Sequence, residues 1–298
     1  MDLSGMTTEA RNPRTKDLDC MGSLEIVTEM NREDADVPQA VAKALPQIAQ
    51  LVNWVVEAFE AKGRLIYMGA GTSGRLGVLD ASECPPTFGV SPDIVIGLIA
   101  GGEGAFVKAV EGAEDDNELG QQDLVRHQLT KDDVVVGIAA SGRTPYVCGA
   151  LSYANRVGCR TAAVSCNKNS EVGRVADLAI EIEVGPEVLT GSTRLKAGTA
   201  EKLVLNMITT ASMVQIGKVY ENLMVDVVQT NEKLRVRAEN IVMAATGVSR
   251  LAAREAIEEA AGNVKLSIIT ILAGCTVREA QERLSATNGH VRIATTLK

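Results

Sequence analysis

Aromatic residues are scarce. Phe, Trp and Tyr make up 3% of the 298 residues, with a single Trp. A stacking platform for single-stranded nucleic acid needs more. Positive charge is also in deficit: 30 Lys and Arg stand against 38 Asp and Glu, a net charge of −8. The concentrated basic surface that grips a phosphodiester backbone is therefore excluded. Only two histidines occur, His127 and His290. A zinc site or a Ser/His/Asp triad needs more partners, or better placed ones. No apolar run approaches the roughly 18 residues of a membrane span. Residues 1–20 are polar and charged, without the apolar core of a signal peptide. The six cysteines, Cys20, Cys84, Cys148, Cys159, Cys166 and Cys275, form no C-x-x-C pair, as expected of reduced thiols in a cytoplasmic protein. Any general acid–base chemistry must fall mainly to carboxylates, lysines or tyrosines.

What is present is a 46% hydrophobic chain with 27 Gly and 8 Pro, the balance of an α/β protein with many tight loops. At about 150 residues per domain it holds one or two domains. Residues 1–20 read as an irregular arm. A short helical pattern begins at Leu24 and ends near Asn31. An amphipathic helix is expected over 38–61, with Val41, Leu45, Ile48, Leu51, Val52, Val55 and Phe59 at three- and four-residue steps. Then come short, continuously apolar runs at 65–68, 94–99, 134–139, 160–165 and 178–183, each followed by a small-residue loop and a helical pattern. Strands covered by helices on both faces have this texture. The alternation predicts a doubly wound, mainly parallel five-stranded sheet flanked by helices. Long helices are expected over 194–219 and 225–245. Beyond 245 three short helices, 248–260, 264–272 and 276–285, form a small C-terminal helical subdomain. The expected division is 1–62 for the arm and first helices, 63–245 for the sheet domain and 246–298 for the helical subdomain.

Two loops repeat. In Arg64-Leu-Ile-Tyr-Met-Gly-Ala-Gly-Thr-Ser-Gly-Arg-Leu-Gly77 a strand runs into a Gly-rich turn and a helix. Gly69, Gly71 and Gly74 fit the dinucleotide fingerprint G-x-G-x-x-G. The acid that holds a ribose is missing, because the next strand ends in Ala100-Gly-Gly-Glu103. In Asp133-Val-Val-Val-Gly-Ile-Ala-Ala-Ser-Gly-Arg-Thr-Pro145 the grammar recurs, Ser141-Gly-Arg143 standing 68 residues after Ser73-Gly-Arg75. Two such turns suit one bound phosphate: glycines let the backbone approach, while N–H groups at a helix start and Ser and Thr hydroxyls donate to the anion. Either turn by itself is equally a plain strand-to-helix connection. Neither has the G-K-[ST] ending of a nucleoside-triphosphate loop, so the phosphate belongs to a small metabolite. The candidate phosphate and substrate groups are Thr72, Ser73, Gly74, Ser141, Gly142, Arg143 and Thr144. Ser192 and Lys196 join them from the stretch Leu189–Lys202, where hydroxyls and glycines open a long helix.

Two acidic segments offer an acid and a base. The first is Asp80-Ala-Ser-Glu83-Cys-Pro-Pro86. Pro85 restricts Cys84 and fixes Glu83 before a helix stop, while Asp80 reads as a solvated helix-end acid. Glu83 lies ten residues beyond Ser73, about 15 Å if all helical, so it serves either its own chain's loop or, in a symmetric dimer, a neighbour's. The second is Glu111-Gly-Ala-Glu114-Asp-Asp116, four acids in one turn, most of them solvated. His127 reads as a solvated turn residue, and 226–233 as an amphipathic helix with an exposed polar face.

Together these segments resemble a known family. Gly69–Gly77 with Asp80–Pro86, Gly112-Ala-Glu-Asp115, Ala139–Tyr146, Thr190–Thr199, Asn222–Asp226 and Thr230–Leu234 are similar to the N-acetylmuramic acid 6-phosphate etherases, which belong to the sugar isomerase (SIS) domain proteins. The resemblance runs from about residue 7 to the end and is densest over 63–235. It implies the SIS fold, cytoplasmic homodimers and cleavage of the D-lactyl ether of a phosphosugar during cell-wall amino-sugar recycling. Elimination followed by water addition gives N-acetylglucosamine 6-phosphate and D-lactate, with no metal and no cofactor. Motif by motif, Glu83 resembles the proton donor and Glu114 the second catalytic acid/base. The competing readings are an aldose–ketose phosphosugar isomerase and a non-catalytic sugar-phosphate sensor.

Overall fold

The computed structural model describes residues 6–227 and 231–297. Its arm is ordered into three 3-10 turns, Thr7–Glu9, Pro13–Thr15 and Leu18–Cys20, in place of the expected irregular stretch. The Thr7 amide and hydroxyl both donate to Asn167 Oδ1, at 2.8 and 3.0 Å, and the Thr15 hydroxyl donates to the Val188 carbonyl at 2.8 Å. Helix α1 spans Ser23–Asp34. The single helix expected over 38–61 is two, α2 (Val37–Ala42) and α3 (Leu45–Glu60). Pro46 explains the break: it has no N–H for the Ala42 carbonyl, and its ring crowds that oxygen. The apolar stripe of α3 faces inward at Ile48, Leu51, Val52 and Val55, but Leu45 is exposed.

The chain then alternates β1 (Leu65–Gly69), α4 (Gly71–Phe88), β2 (Val95–Ile99), α5 (Asn117–Arg126), β3 (Val134–Ile138), α6 (Pro145–Val157), β4 (Arg160–Ser165), α7 (Glu171–Val175) and β5 (Leu178–Glu181). The five strands are parallel in the order β2-β1-β3-β4-β5. Every residue of the central β1 and β3 is buried, whereas the edges β2 and β5 are only partly so. This is why the central runs read as continuously apolar. Ile66, Met68, Val135, Val147 and Leu151 pack in one core. Truncating one of them, as in Leu151→Ala, costs about 2–5 kcal/mol.

Helix α8 (Lys196–Gln215) follows. It stops short of 219, and an unanticipated antiparallel hairpin takes its place, β6 (Val219–Tyr220) with β7 (Leu223–Met224). The helix expected from 225 begins later, as α9 (Glu232–Thr246), because Asn231 caps it by accepting from the Leu234 amide at 3.0 Å. Residues 228–230, including Thr230 of the family-like motif, lie outside the described residues. The three expected short helices are α10 (Arg250–Glu259), α11 (Val264–Ala273) and α12 (Val277–Ala286), each opened by a side-chain cap from Ser249, Asn263 or Thr276. A further helix, α13 (Val291–Thr296), had no periodic pattern long enough to announce it. Ile241, Val242, Ile257, Ile268, Ile269, Leu284 and Val291 form the core of this region.

The chain divides into two compact units, one of Met1–Ser82 with Asp93–Thr209, the other of Glu83–Pro92 with Thr210–Lys298. Among the described residues no helix is long and apolar enough to cross a membrane.

Candidate active site

From β1 the chain moves outward to β2, then crosses back to place β3 on the other side of β1. The C-terminal ends of β1 and β3 are neighbours, with Gly69 opposite Ile138. In open α/β sheets such a reversal leaves a crevice where ligands bind. Both Ser-Gly-Arg turns leave from these two strand ends, so the fold brings Thr72–Gly74 and Ser141–Thr144 to one edge.

The two turns have different conformations. Helix α4 begins at Gly71, before Ser73, whereas α6 begins at Pro145, after Arg143. Gly74 is helical, and its amide donates to the Ala70 carbonyl at 3.1 Å. The N–H groups of Gly71, Thr72 and Ser73 therefore precede the intrahelical ladder. A Cβ on Gly74 would stand 2.6 Å from the Gly69 carbonyl oxygen and 2.7 Å from Ile99 Cγ1. The fingerprint glycines thus let the helix start press on the strand end. Gly142 instead has φ +77, and its amide donates to the Ala139 carbonyl at 2.8 Å.

The arginines differ as well. Arg75 donates to the carbonyls of Phe106 and Ala105 at 2.7 and 2.9 Å, holding the 3-10 turn Glu103–Phe106 after β2. Arg143 lies 3.5 Å from Glu171. With Ser141, Lys168 and Arg174 it lines a cavity of about 370 Å³. Thr72 lines another, of about 300 Å³, with Arg194 and Lys202. Thr72 of the first turn and Ser141 and Arg143 of the second thus each border a cavity that carries two or more cations, the second also carrying Glu171.

Beneath the first turn lies Glu201 of α8. The Ser73 hydroxyl is 2.8 Å from its Oε1. Glu201 is 0% exposed. Burial pushes its carboxyl up to about 8, against the lowering effect of the Ser73 hydrogen bond. Beneath the second turn lies Asn167. Its amide nitrogen donates to the carbonyls of Ala140 and Ser141 at 3.3 and 3.2 Å, while its oxygen accepts from the Thr7 amide. Neither residue stands in a recognisable motif. Glu201 did carry a signal: it occupies the apolar stripe Ala197, Ala200, Val204, Leu205, Ile208, all buried, where a carboxylate has no bland reason to be.

Of the four crowded acids, all are exposed, and two have definite tasks. Asp116 caps α5 by accepting from the amides of Glu118 and Leu119. Glu114 Oε1 accepts from the Thr144 hydroxyl at 3.2 Å, and its carbonyl accepts from the Tyr146 amide at 3.0 Å. The acidic segment is thereby attached to the second turn.

Glu83 is exposed in the C-terminal part of α4. The expected Pro-Pro stop is overturned, because Pro85 and Pro86 lie inside the helix and Cys84 is helical and buried. The helix ends at Phe88, and the Gly89 amide, at φ +62, donates to the Pro85 carbonyl at 2.9 Å. The prolines remove the donors for the Ala81 and Ser82 carbonyls without unwinding the turn. Asp80 also departs from its expected role. It is not a solvated acid: the hydroxyls of Tyr67 and Thr209 donate to it, both at 3.1 Å, and burial raises its pKa. His127 is exposed at the end of α5.

Lys196 is 3% exposed, with Nζ 2.6 Å from Glu33 Oε2, and Arg14 bonds the same carboxylate. Glu187 accepts from the amides of Lys196 and Ala197 at 2.9 and 3.0 Å, so it caps α8. Ser192 is half-buried in the loop before that helix. The structure therefore brings Thr72, Ser73, Ser141, Arg143, Thr144 and Glu114 to one sheet edge, and engages Lys196 with Glu33.

Comparison with known proteins agrees with this fold. Residues 113–211 match the SIS domain model, and residues 47–155 match the glucokinase regulatory protein N-terminal SIS domain. A phosphoheptose isomerase from Francisella tularensis shares the fold, with a TM-score of 0.51 at 16% identity over 65% of this chain and 100% of that one. The N-acetylmuramic acid 6-phosphate etherase of Halalkalibacterium halodurans is 61% identical over 98% of both chains. That of Serratia proteamaculans is 59% identical over 99% of this chain and 100% of its own. At that identity and coverage, the chain belongs to the N-acetylmuramic acid 6-phosphate etherase family of SIS-domain proteins.

Proposed function

We propose that this protein cleaves the D-lactyl ether at C3 of N-acetylmuramic acid 6-phosphate, releasing D-lactate and N-acetylglucosamine 6-phosphate in cell-wall amino-sugar recycling. The observation that carries the assignment of groups is the Thr144–Glu114 hydrogen bond, which ties a carboxylate to one of the two turns at the sheet's switch point. Family membership supports the substrate. The same reading includes a cytoplasmic homodimer, and the six free thiols support its cytoplasmic part.

In the open-chain sugar the C1 aldehyde acidifies the C2 hydrogen. Glu114 removes it as general base. The electron pair forms a C2=C3 bond, and the C3–oxygen bond breaks. Glu83, as general acid, protonates the departing lactate oxygen. Water then adds at C3 of the unsaturated aldehyde, and C2 regains a hydrogen. Two carboxyl groups in different surroundings can hold the opposite protonation states this needs. Thr72, Ser73, Ser141, Arg143 and Thr144 hold the phosphosugar, so the reaction gains from proximity. Gly74 and Gly142 shape the two turns. Ser192 and Lys196 act from the segment that leads into α8, Lys196 through its ion pair with Glu33.

The test is to supply N-acetylmuramic acid 6-phosphate and measure D-lactate. Glu114→Gln should stop deuterium exchange at C2, and Glu83→Gln should retain exchange while blocking ether cleavage, each lowering turnover about 10²–10⁴-fold. The reverse pattern swaps the two roles. Tight binding without lactate makes the protein a sensor.

A further inference from the structure

Glu201 is a fully buried carboxyl of the first unit, and it pairs with no cation among the described residues. Among the described residues its Oε2 has no hydrogen-bond partner, and its Oε1 meets only the Ser73 hydroxyl. The titratable groups nearest to it are also uncharged or otherwise engaged. Cys166, just after β4, is buried, and its thiol is pushed well up by that burial and then by Glu201 and Glu187. Glu187 is held by the first amides of α8. Lys196 is paired with Glu33, and the neighbouring Lys202 is exposed. An ionised carboxylate here would be an uncompensated buried charge with one oxygen unsatisfied.

The direction of the single Ser73–Glu201 hydrogen bond matters for anion binding. Ser73 has one hydroxyl hydrogen. If Glu201 is ionised, that hydrogen points inward, and the serine can present only lone pairs to an approaching phosphoryl oxygen. If Glu201 is protonated, it is the donor, and the serine hydrogen is free.

We propose that Glu201 is a positioning residue: as a neutral acid it donates to Ser73 Oγ and so turns the Ser73 hydroxyl toward the phosphoryl group of the bound sugar. This rests on the reading of the Thr72–Gly74 turn as part of the phosphate site. Phosphosugar binding then draws a proton onto the enzyme wherever Glu201 is partly ionised, and affinity follows the neutral fraction. With the carboxyl at about 8, the neutral fraction at pH 9 reduces affinity about tenfold relative to pH 7.

The experiment is calorimetric titration with N-acetylglucosamine 6-phosphate from pH 7 to pH 9, in buffers of differing ionisation enthalpy. The ligand's phosphate, with a second pKa near 6 (about that of other phosphate monoesters), stays dianionic throughout. The wild type should bind about tenfold more weakly at pH 9 and take up protons on binding. Glu201→Gln keeps a donor to Ser73 and cannot ionise. It should bind about two- to threefold more weakly at pH 7, then lose no more by pH 9, with no proton uptake. Persistence of the wild-type fall and uptake in Glu201→Gln overturns the proposal. So does absence of uptake in the wild type, which needs no variant to fold. Ser73→Ala separates the two levels. If it binds the phosphosugar as tightly as the wild type, the phosphate reading of the first turn fails. If it binds more weakly while Glu201→Gln retains the wild-type pH profile, only the role of Glu201 fails.

Discussion

The same tripeptide, Ser-Gly-Arg, ends two adjacent strands and does two different things. Around Ser73 it is helical, close-packed and committed inward, to Glu201 through the serine and to two backbone carbonyls through Arg75. Around Ser141 it precedes the helix, with Gly142 left-handed and Arg143 on a cavity wall. The neighbours decide. Pro145 suits the first position of a helix and keeps Thr144 out of the helical region, at ψ 112. No proline follows Ser73, so that helix starts at Gly71. The first turn is therefore a helical floor and the second a non-helical wall, and the wall carries the Glu114 carboxylate.

The comparison breaks most visibly at Glu114. Glu114→Ala should lower turnover about 10²–10⁴-fold with little change in thermal stability, because the carboxylate is exposed. Thr144→Val, which removes the hydroxyl that orients it, should lower kcat about tenfold, the loss of one net hydrogen bond. An equal loss in both variants means that Thr144 touches the substrate itself.

The floor is next. The Glu201 carboxyl rises from its ordinary 4.5 to about 8 on folding. A raised acid stabilises the fold fully below the unfolded value and loses that contribution as pH climbs to the folded one. The wild type should therefore lose stability between about pH 4.5 and 8, while Glu201→Gln does not. The Tm advantage of the variant should grow across that window and level off above it. A constant difference contradicts the buried neutral acid.

The sheet was legible because its signal is redundant. Five continuously apolar runs, each followed by small residues, leave few alternatives, and the turns at β1 and β3 advertise themselves by glycine and serine. Three features were illegible for physical reasons. The break at Pro46 hides in an amphipathic stripe that continues in phase on both sides. The prolines at 85 and 86 read as a stop, yet the last turns of a helix tolerate lost donors. The partners of Lys196 and Ser73 lie 163 and 128 residues away in sequence, and spacing along the chain cannot reveal such pairs. Glu201 was visible as an acid in an apolar stripe, but its task emerged only with Ser73 beside it.

Replacing the serines sharpens the distinction between floor and wall. Ser73→Ala strips the fully buried Glu201 carboxyl of its one partner among the described residues and should destabilise the protein by about 1–3 kcal/mol. Ser141→Ala, at a half-buried hydroxyl that accepts a long bond from the Arg143 amide at 3.3 Å, should stay within about 0.5 kcal/mol. Both should raise KM. Chemical denaturation beside steady-state kinetics reads the two quantities separately, and equal destabilisation would erase the distinction.

The smallest effects should come from the arginines, and they should fall on opposite axes. Arg75 grips the backbone after β2, its guanidinium engaged by the Phe106 and Ala105 carbonyls. Arg75→Ala should cost about 1–2 kcal/mol through two lost charged hydrogen bonds to carbonyls, and should leave the salt dependence of KM unchanged. Arg143 is half-exposed, and its pairing with Glu171 is long, so Arg143→Ala should cost stability less than about 1 kcal/mol. It should raise KM several-fold at low ionic strength, and less in high salt, where the lost attraction is already screened. Arg143→Lys tests the reason: a point charge restores the attraction but not the planar fork, so a partial rescue of KM that vanishes with added salt is expected. If Arg75→Ala is the variant whose KM responds to salt, the phosphate lies over the first turn alone, and the second serves only to carry Glu114.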